Sequence, residues 1–101
     1  MSMPVSIDPW RTDLIQVLDE ASWLMAQAYQ QLGGRVPPEH ALAQAGLEHG
    51  REIVLDYLEH NEAGLAFEHL RYMIEEPPLV LSEAARCALL RIARYLGQAP
   101  A

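Results

Sequence analysis

This 101-residue chain has no lysine, a single cysteine and no long apolar run. A lone Cys87 cannot form an internal disulfide, and such cysteine usage is typical of a cytosolic protein. Because no run approaches the ~20 apolar residues of a membrane span, we expect no transmembrane helix and no membrane partner. The first residues lack a basic segment followed by an apolar one, so we expect no secretory signal and a cytoplasmic location.

Positive charge is scarce. All seven basic residues are arginine, against fourteen acidic residues, and the formal net charge is −7. Nucleic-acid binding requires clustered Lys and Arg to displace counterions, so we expect no nucleic-acid partner. Between residues 48 and 76, eight acids oppose only Arg51 and Arg71, a net charge of −6. This segment is therefore predicted to be either a surface for a basic partner or a set of solvated helix faces.

The clearest element is a long first helix. Apolar residues recur at spacings of three and four from Pro9 to Leu32, which predicts one amphipathic face. Asp8 can cap this helix, Pro9 suits its first position, and Gly33-Gly34 ends it. Residues 1–7 and 98–101 are expected to be loose tails of a single domain spanning residues 1–101.

Helical patterns also dominate the rest of the chain. A linker is predicted at residues 35–38 and a second helix from 39 to 60, which Gly46 can interrupt. Asn61 is the predicted N-cap of a third helix and Ser82 that of a fourth, which ends at Gly97. The expected core positions of these two helices are Leu65, Ala66, Leu70, Met73, Ile74, Ala85, Ala88, Leu89, Ile92, Ala93 and Leu96. The prediction is an all-α bundle of four helices, or five if Gly46 breaks the second.

Four histidines and many carboxylates require that a metal site be considered. His49, Glu52, Asp56 and His60 fall on one helical stripe at i, i+3, i+7 and i+11. This stripe is ~16 Å long, so one ion could take only two ligands from adjacent turns, and a second helix would have to supply the others. The paired Glu-x-x-His signatures of di-iron bundles are absent. We expect an exposed polar face, with no metal and no cofactor.

Catalytic patterns have little support. Cys87 precedes Ala88, Leu89 and Leu90, where a small buried sulfur is the ordinary interpretation. The carboxylates are distributed along helices, whereas general acid–base chemistry needs them together in a cleft. Glycine-rich phosphate loops are also missing. The chain is therefore not expected to be an enzyme.

Residues 57–70 are the most informative stretch, because they place a polar turn, His60-Asn61-Glu62, between two apolar helical patterns. The stretch resembles a block of small bacterial immunity proteins of the MafI type, which neutralise secreted polymorphic toxins. The matching positions are Tyr57, Leu58, His60, Asn61, Glu62, Gly64, Leu65, Ala66, Glu68 and Leu70. A looser likeness continues through residues 72–76 and 81–83.

The resemblance implies a protein that binds its cognate toxin stoichiometrically and blocks it. A basic toxin domain, and a nuclease in particular, would suit an acidic surface, because carboxylates can mimic the phosphate charge that a nuclease site holds. The candidate toxin-binding residues are Asp56, Glu59, His60, Glu62, Glu68, His69, Glu75 and Glu76. Trp10, Trp23 and Tyr72 are candidate anchors where they are exposed, and Trp23, which lies off the apolar stripe of the first helix, is expected to be so.

A different class of function remains open. A long amphipathic first helix with Trp23 set apart from its core stripe could form a homodimer. The alternative prediction is therefore a non-enzymatic helical module that self-associates or acts as a regulatory adaptor.

Overall fold

The computed structural model describes residues 9–33 and 49–97. These residues form four helices and no strand: α1 (Pro9–Gln31), α2 (Gly50–Glu59), α3 (Ala63–Glu75) and α4 (Glu83–Tyr95). The all-α class and the long first helix are thus confirmed. The predictions for both tails, the Asp8 cap, the linker at residues 35–38 and a break at Gly46 lie outside the described residues.

The four helices associate as two pairs. α1 packs mainly on α4 and α2 mainly on α3, with smaller contacts from α1 to α2 and α3. Two side-chain contacts show that α1 and α4 run antiparallel: Glu20 meets Ser82 at the start of α4, and Asp13 meets Arg91 near its end. At 1.5 Å per residue, the 23 residues of α1 extend about 35 Å. α1 is therefore long enough to contact all three other helices.

One apolar core joins the four helices. It contains the predicted stripe of α1 and one face of each other helix, and its buried members are Leu14, Val17, Leu18, Ala21, Met25, Val54, Leu58, Ala66, Phe67, Leu70, Met73, Ile74, Leu81, Ala85, Ala88, Ile92 and Ala93. The largest fully buried side chain is Phe67, which the pattern of α3 had not singled out. The predicted core residues Leu89 and Leu96 are only partly buried at its edge.

Gly50 of α2 lies against the side chain of Met73 of α3. A Cβ atom built on Gly50 would lie 2.5 Å from the sulfur of Met73. Met73 is itself buried, so a side chain at position 50 would displace the Met73 side chain within the core. Gly50 is the first residue of α2 and His49 is its N-cap, so the second helix predicted from residue 39 to 60 does not run unbroken through residue 49.

The predicted N-cap role of Asn61 is wrong. Asn61 has φ +59°, in the left-handed region that asparagine tolerates. Its N–H donates to the carbonyl of Leu58, and the N–H of Glu62 donates to that of Tyr57 at 2.8 Å. This bonding is a Schellman motif, in which Asn61 ends α2 rather than starting α3. Glu62 occupies the N-cap position of α3, and its side chain makes no capping hydrogen bond.

Both predicted ends of α4 are confirmed. The Oγ of Ser82 accepts a hydrogen bond from the N–H of Ala85, as an N-cap does. Gly97 follows the last turn with φ +69°, the conformation that favours glycine beyond a helix C-terminus. Gly33 has φ +70° just after α1, so the predicted stop there is confirmed as well.

Two residues assigned to the core are exposed. Leu65 is 44% exposed, because the buried residues of α3 centre on Leu70 and the 100° step of an α-helix turns position 65 well away from them. Cys87 is also exposed. It lies two residues, about 200°, beyond the buried Ala85 and therefore on the outer face of α4.

Candidate functional site

The turn between α2 and α3 brings several of the candidate residues together at one end of that helix pair. Asp56 and Glu59 lie in the last turn of α2, Glu62 directly precedes α3, and Glu68 lies on its second turn. We call these four residues the acidic corner. All four side chains are exposed, and the Schellman turn at Asn61 sets the directions in which the two helices leave it.

The arginines of the same segment leave most of this charge uncompensated. Arg51 is hydrogen-bonded to Asp19 of α1 at 2.5 Å, and Arg71 donates to Glu75 at 3.1 Å. Within residues 9–33 and 49–97, no ion pair involves Glu59, Glu62, Glu68 or Glu76. The negative charge predicted from the sequence is thus presented at the surface.

His60 adds a titratable group to the acidic corner. Its Nδ1–H donates to the backbone carbonyl of Asp56 at 2.8 Å, and the same nitrogen lies 3.5 Å from a carboxylate oxygen of Asp56. The hydrogen bond to that carbonyl raises the pKa of His60, and the charges of Asp56, Glu59 and Glu62 raise it further. Protonation of His60 would therefore offset part of the negative charge as the pH falls.

Beside the acidic corner lies a concave notch of about 200 Å³ lined by Tyr57, Leu65, Glu68, His69 and Tyr72. Four of these residues form one stripe of α3 at i, i+3, i+4 and i+7, and Tyr57 faces them from α2. The rings of His69 and Tyr72 are 5.6 Å apart and tilted by 47°. The exposed position of Leu65 follows from its place in this stripe.

The remaining candidates lie elsewhere. Glu75 and Glu76 end α3, about 20 Å along its axis from Glu62, so the fold does not bring them into the acidic corner. Glu75 is also paired with Arg71. His69 belongs to the notch, and its partly exposed ring contacts Tyr72.

The histidine–carboxylate stripe of α2 divides into two separate pairs. His49 is 3.5 Å from Glu52, and His60 is 3.5 Å from Asp56. In the part of the chain that the structure describes, no three His, Cys, Asp or Glu side chains converge as metal ligands would. A metal ion could take one of these pairs at most, with no further ligand from the described residues.

Acidic residues of α1 have a different environment. Both oxygens of the Asp13 carboxylate accept hydrogen bonds from Arg91 at 3.0 Å. One oxygen of Glu20 accepts from the N–H of Ser82 at 2.6 Å and the other from its hydroxyl at 2.7 Å. These acids link α1 to α4, so they serve the fold and are not open to a partner.

Two large apolar side chains, one on α1 and one between α3 and α4, are also exposed. Trp23 is 59% exposed, as predicted, and Val80 is 84% exposed. Val80 lines a groove of about 380 Å³ together with Leu79 and Leu89. Of the other predicted anchors, Trp10 and Tyr72 are partly buried.

No described helix is both long and apolar enough to cross a membrane. Comparison with known proteins found no match among family models, curated proteins or solved structures. The functional conclusion therefore depends on the residues of the acidic corner, the notch and the stretch at positions 57–70.

Proposed function

We propose that this chain is an immunity protein that binds and neutralises a cognate bacterial toxin domain and catalyses no reaction itself. The observation that carries this proposal is the acidic corner, whose glutamates have no ion-pair partner among the described residues while both arginines of the segment are engaged elsewhere. A concentrated negative surface accelerates the association of a basic partner and selects for it. A nuclease domain is the favoured target, because its active site is built to hold phosphate charge.

The stretch that resembles MafI-type immunity proteins combines two kinds of position. Leu58, Ala66 and Leu70 are buried and hold α2 against α3. Glu62 and Glu68 are exposed and unpaired within the described residues. A buried scaffold that carries an exposed acidic surface is what inhibition by occlusion requires, and it supports a stoichiometric inhibitor.

The test uses the gene immediately upstream in the source genome. Its C-terminal domain is expressed with and without this chain, and growth and co-elution on a sizing column are measured. We expect growth arrest that this chain relieves, together with a stable complex whose association rate falls as salt rises. A non-toxic domain that forms no complex would contradict the proposal.

A matched pair of variants locates the interface. E62K/E68K reverses two charges of the acidic corner, whereas E52K/E83K makes the same change of net charge elsewhere on α2 and α4. Both pairs include a glutamate at a helix N-terminus, where negative charge stabilises a helix by ~0.3–1 kcal/mol. We expect the first variant alone to lose toxin binding while both remain folded. Equal loss in both would mean that only net charge matters, and no loss would exclude this corner.

The alternative, a self-associating helical module, is favoured by one observation: Trp23 is 59% exposed on the long helix α1. Sedimentation of the wild-type chain and of W23S distinguishes the two functions. A tight dimer that W23S converts to a monomer would support self-association through α1. A wild-type monomer would reject it.

A further inference from the structure

From the notch we propose that this chain takes a single arginine side chain from its protein partner, with Glu68 as the carboxylate that receives the guanidinium group. This inference rests on the proposed function for the identity of the partner. It adds a specific position of contact and a specific residue type.

The size of the notch selects a side chain over a small-molecule ligand. Its volume is about 200 Å³, below the roughly 300–1,000 Å³ of pockets that bury a small molecule. It is also open to solvent along one side of the α2–α3 pair, where another protein can approach. A long side chain from a docked partner would fill it.

The lining of the notch selects a cation with a flat delocalised group. Tyr57 and Tyr72 bring phenol rings to it, and the face of such a ring attracts a guanidinium group in particular. Leu65 offers an apolar wall for the methylene stem of arginine. The carboxylate of Glu68 can then accept a charge-assisted N–H hydrogen bond from the guanidinium group.

No arginine of the described residues is bonded to the Glu68 carboxylate. Arg71 lies one turn from Glu68 but donates to Glu75, and its guanidinium carbon lies 5.9 Å from the centre of the Phe67 ring. Arg51 is bonded to Asp19 on α1. Glu62 and Glu76 lie about 9 and 12 Å along the axis of α3 from Glu68, and their negative charge favours the approach of a cation over that of a neutral side chain.

The experiment is an NMR titration of the isolated chain with Nα-acetyl-arginine amide, and separately with its citrulline analogue, which has the same shape without the charge. A single exposed cation–π contact with one charge-assisted hydrogen bond implies a dissociation constant on the order of 10 mM. The titration therefore runs to about 100 mM at constant ionic strength, which spans this constant. We expect shifts of the amide signals at Leu65, Glu68, His69 and Tyr72 with the arginine probe, and none with citrulline.

Two variants make the result specific. E68Q should weaken arginine binding about fivefold, the loss of one charge-assisted hydrogen bond at an exposed site. E83Q, the same substitution on α4, should leave it unchanged. Y57L removes a ring from the notch and should weaken arginine binding about threefold. If Y57L does not fold because Tyr57 is half-buried, the titration of E68Q, which changes an exposed residue, still tests the inference.

Three results would overturn the inference: equal shifts with citrulline, shifts that E68Q leaves unchanged, or no shift at the notch. The titration needs no toxin, so its outcome is separable from the proposed function. A toxin complex without arginine binding would reject only the notch. Arginine binding without any toxin complex would reject the immunity function and leave the notch as a recognition site for another basic protein.

Discussion

The acidic side chains that join α1 to α4 and those of the acidic corner between α2 and α3 have opposite environments. Between α1 and α4, Asp13 binds Arg91 and Glu20 binds both the backbone and the hydroxyl of Ser82. Along α2 and α3, Glu59, Glu62 and Glu68 have no ion-pair partner in the described part of the chain. A carboxylate that is hydrogen-bonded across two helices stabilises their packing, whereas an exposed carboxylate without an ion-pair partner repels its like-charged neighbours and adds little to stability. The α2–α3 pair is therefore the place to look for function.

The largest expected change in the free energy of unfolding comes from comparing substitutions on the buried and the exposed face of α3. Phe67 is 1% exposed and Leu65 is 44% exposed. F67A removes a fully buried ring and should lower the free energy of unfolding by about 3–5 kcal/mol. L65A, a matched truncation on the notch face, should cost less than about 1 kcal/mol.

Urea unfolding followed by circular dichroism measures both variants. Similar losses would mean that the outer stripe of α3 is part of the core, and the notch would then not be a surface available to a partner.

The next comparison is between the starts of α4 and α3. S82A deletes the hydroxyl that caps α4 and binds Glu20, so we expect a loss of about 1–2 kcal/mol. E62A changes the N-cap position of α3, where the side chain makes no capping bond, and should stay within about 0.5 kcal/mol of wild type. Thermal unfolding of the two variants in one buffer tests this. An E62A that loses as much as S82A would mean that Glu62 serves the fold.

A smaller effect tests the turn at Asn61. Its φ of +59° disfavours residues with a Cβ and suits glycine. N61A should therefore cost about 1 kcal/mol, while N61G should stay within about 0.5 kcal/mol of wild type. The denaturant midpoints of N61A and N61G distinguish a requirement for the left-handed backbone conformation from a role of the Asn61 side chain in capping α3. Equal losses in the two variants would indicate that the amide side chain itself is required.

The smallest effect is the pH dependence conferred by His60. Because its pKa is raised in the folded state from the ordinary value of 6.5, the fold favours its protonated form. This contribution to stability is present below pH 6.5 and is lost as the pH rises through the raised value. H60Q should therefore melt below wild type in mild acid and approach it at about pH 8. A difference in melting temperature that does not change with pH would contradict this assignment.

The local elements of the fold follow closely from the amino-acid pattern. The apolar period of α1, the Ser82 cap and the glycines at positions 33 and 97 are short-range features, and each occurs where it was predicted. Exposure of Trp23 also follows from the same period, because a residue outside the stripe has no neighbouring helix to bury it.

The predictions that failed concern residues with two plausible local roles. Asparagine is favoured both as an N-cap and as a left-handed residue after a helix, and the bonds of Asn61 and Glu62 to α2 decide for the second. Leu65 and Cys87 are apolar residues at the borders of helical faces. The spacing of apolar residues does not fix the direction of the buried face to within one residue, so it could not show that these two side chains point outward. The notch was missed for the same reason, although positions 65, 68, 69 and 72 carry the spacing that could have revealed it.

The sequence by itself determined the all-α class, both ends of α1 and of α4, and an acidic central segment with a net charge of −6. Those properties depend on composition and on contacts within one or two turns. Only the tertiary structure decided which acids are bonded to arginine or to a helix start, and which remain open. It also decided that Tyr57 on one helix meets a stripe of the next to form the notch. The physical reason is that pairing and concavity arise from the docking of separate helices, and the spacing of residues along one helix does not specify which surface of another it will meet.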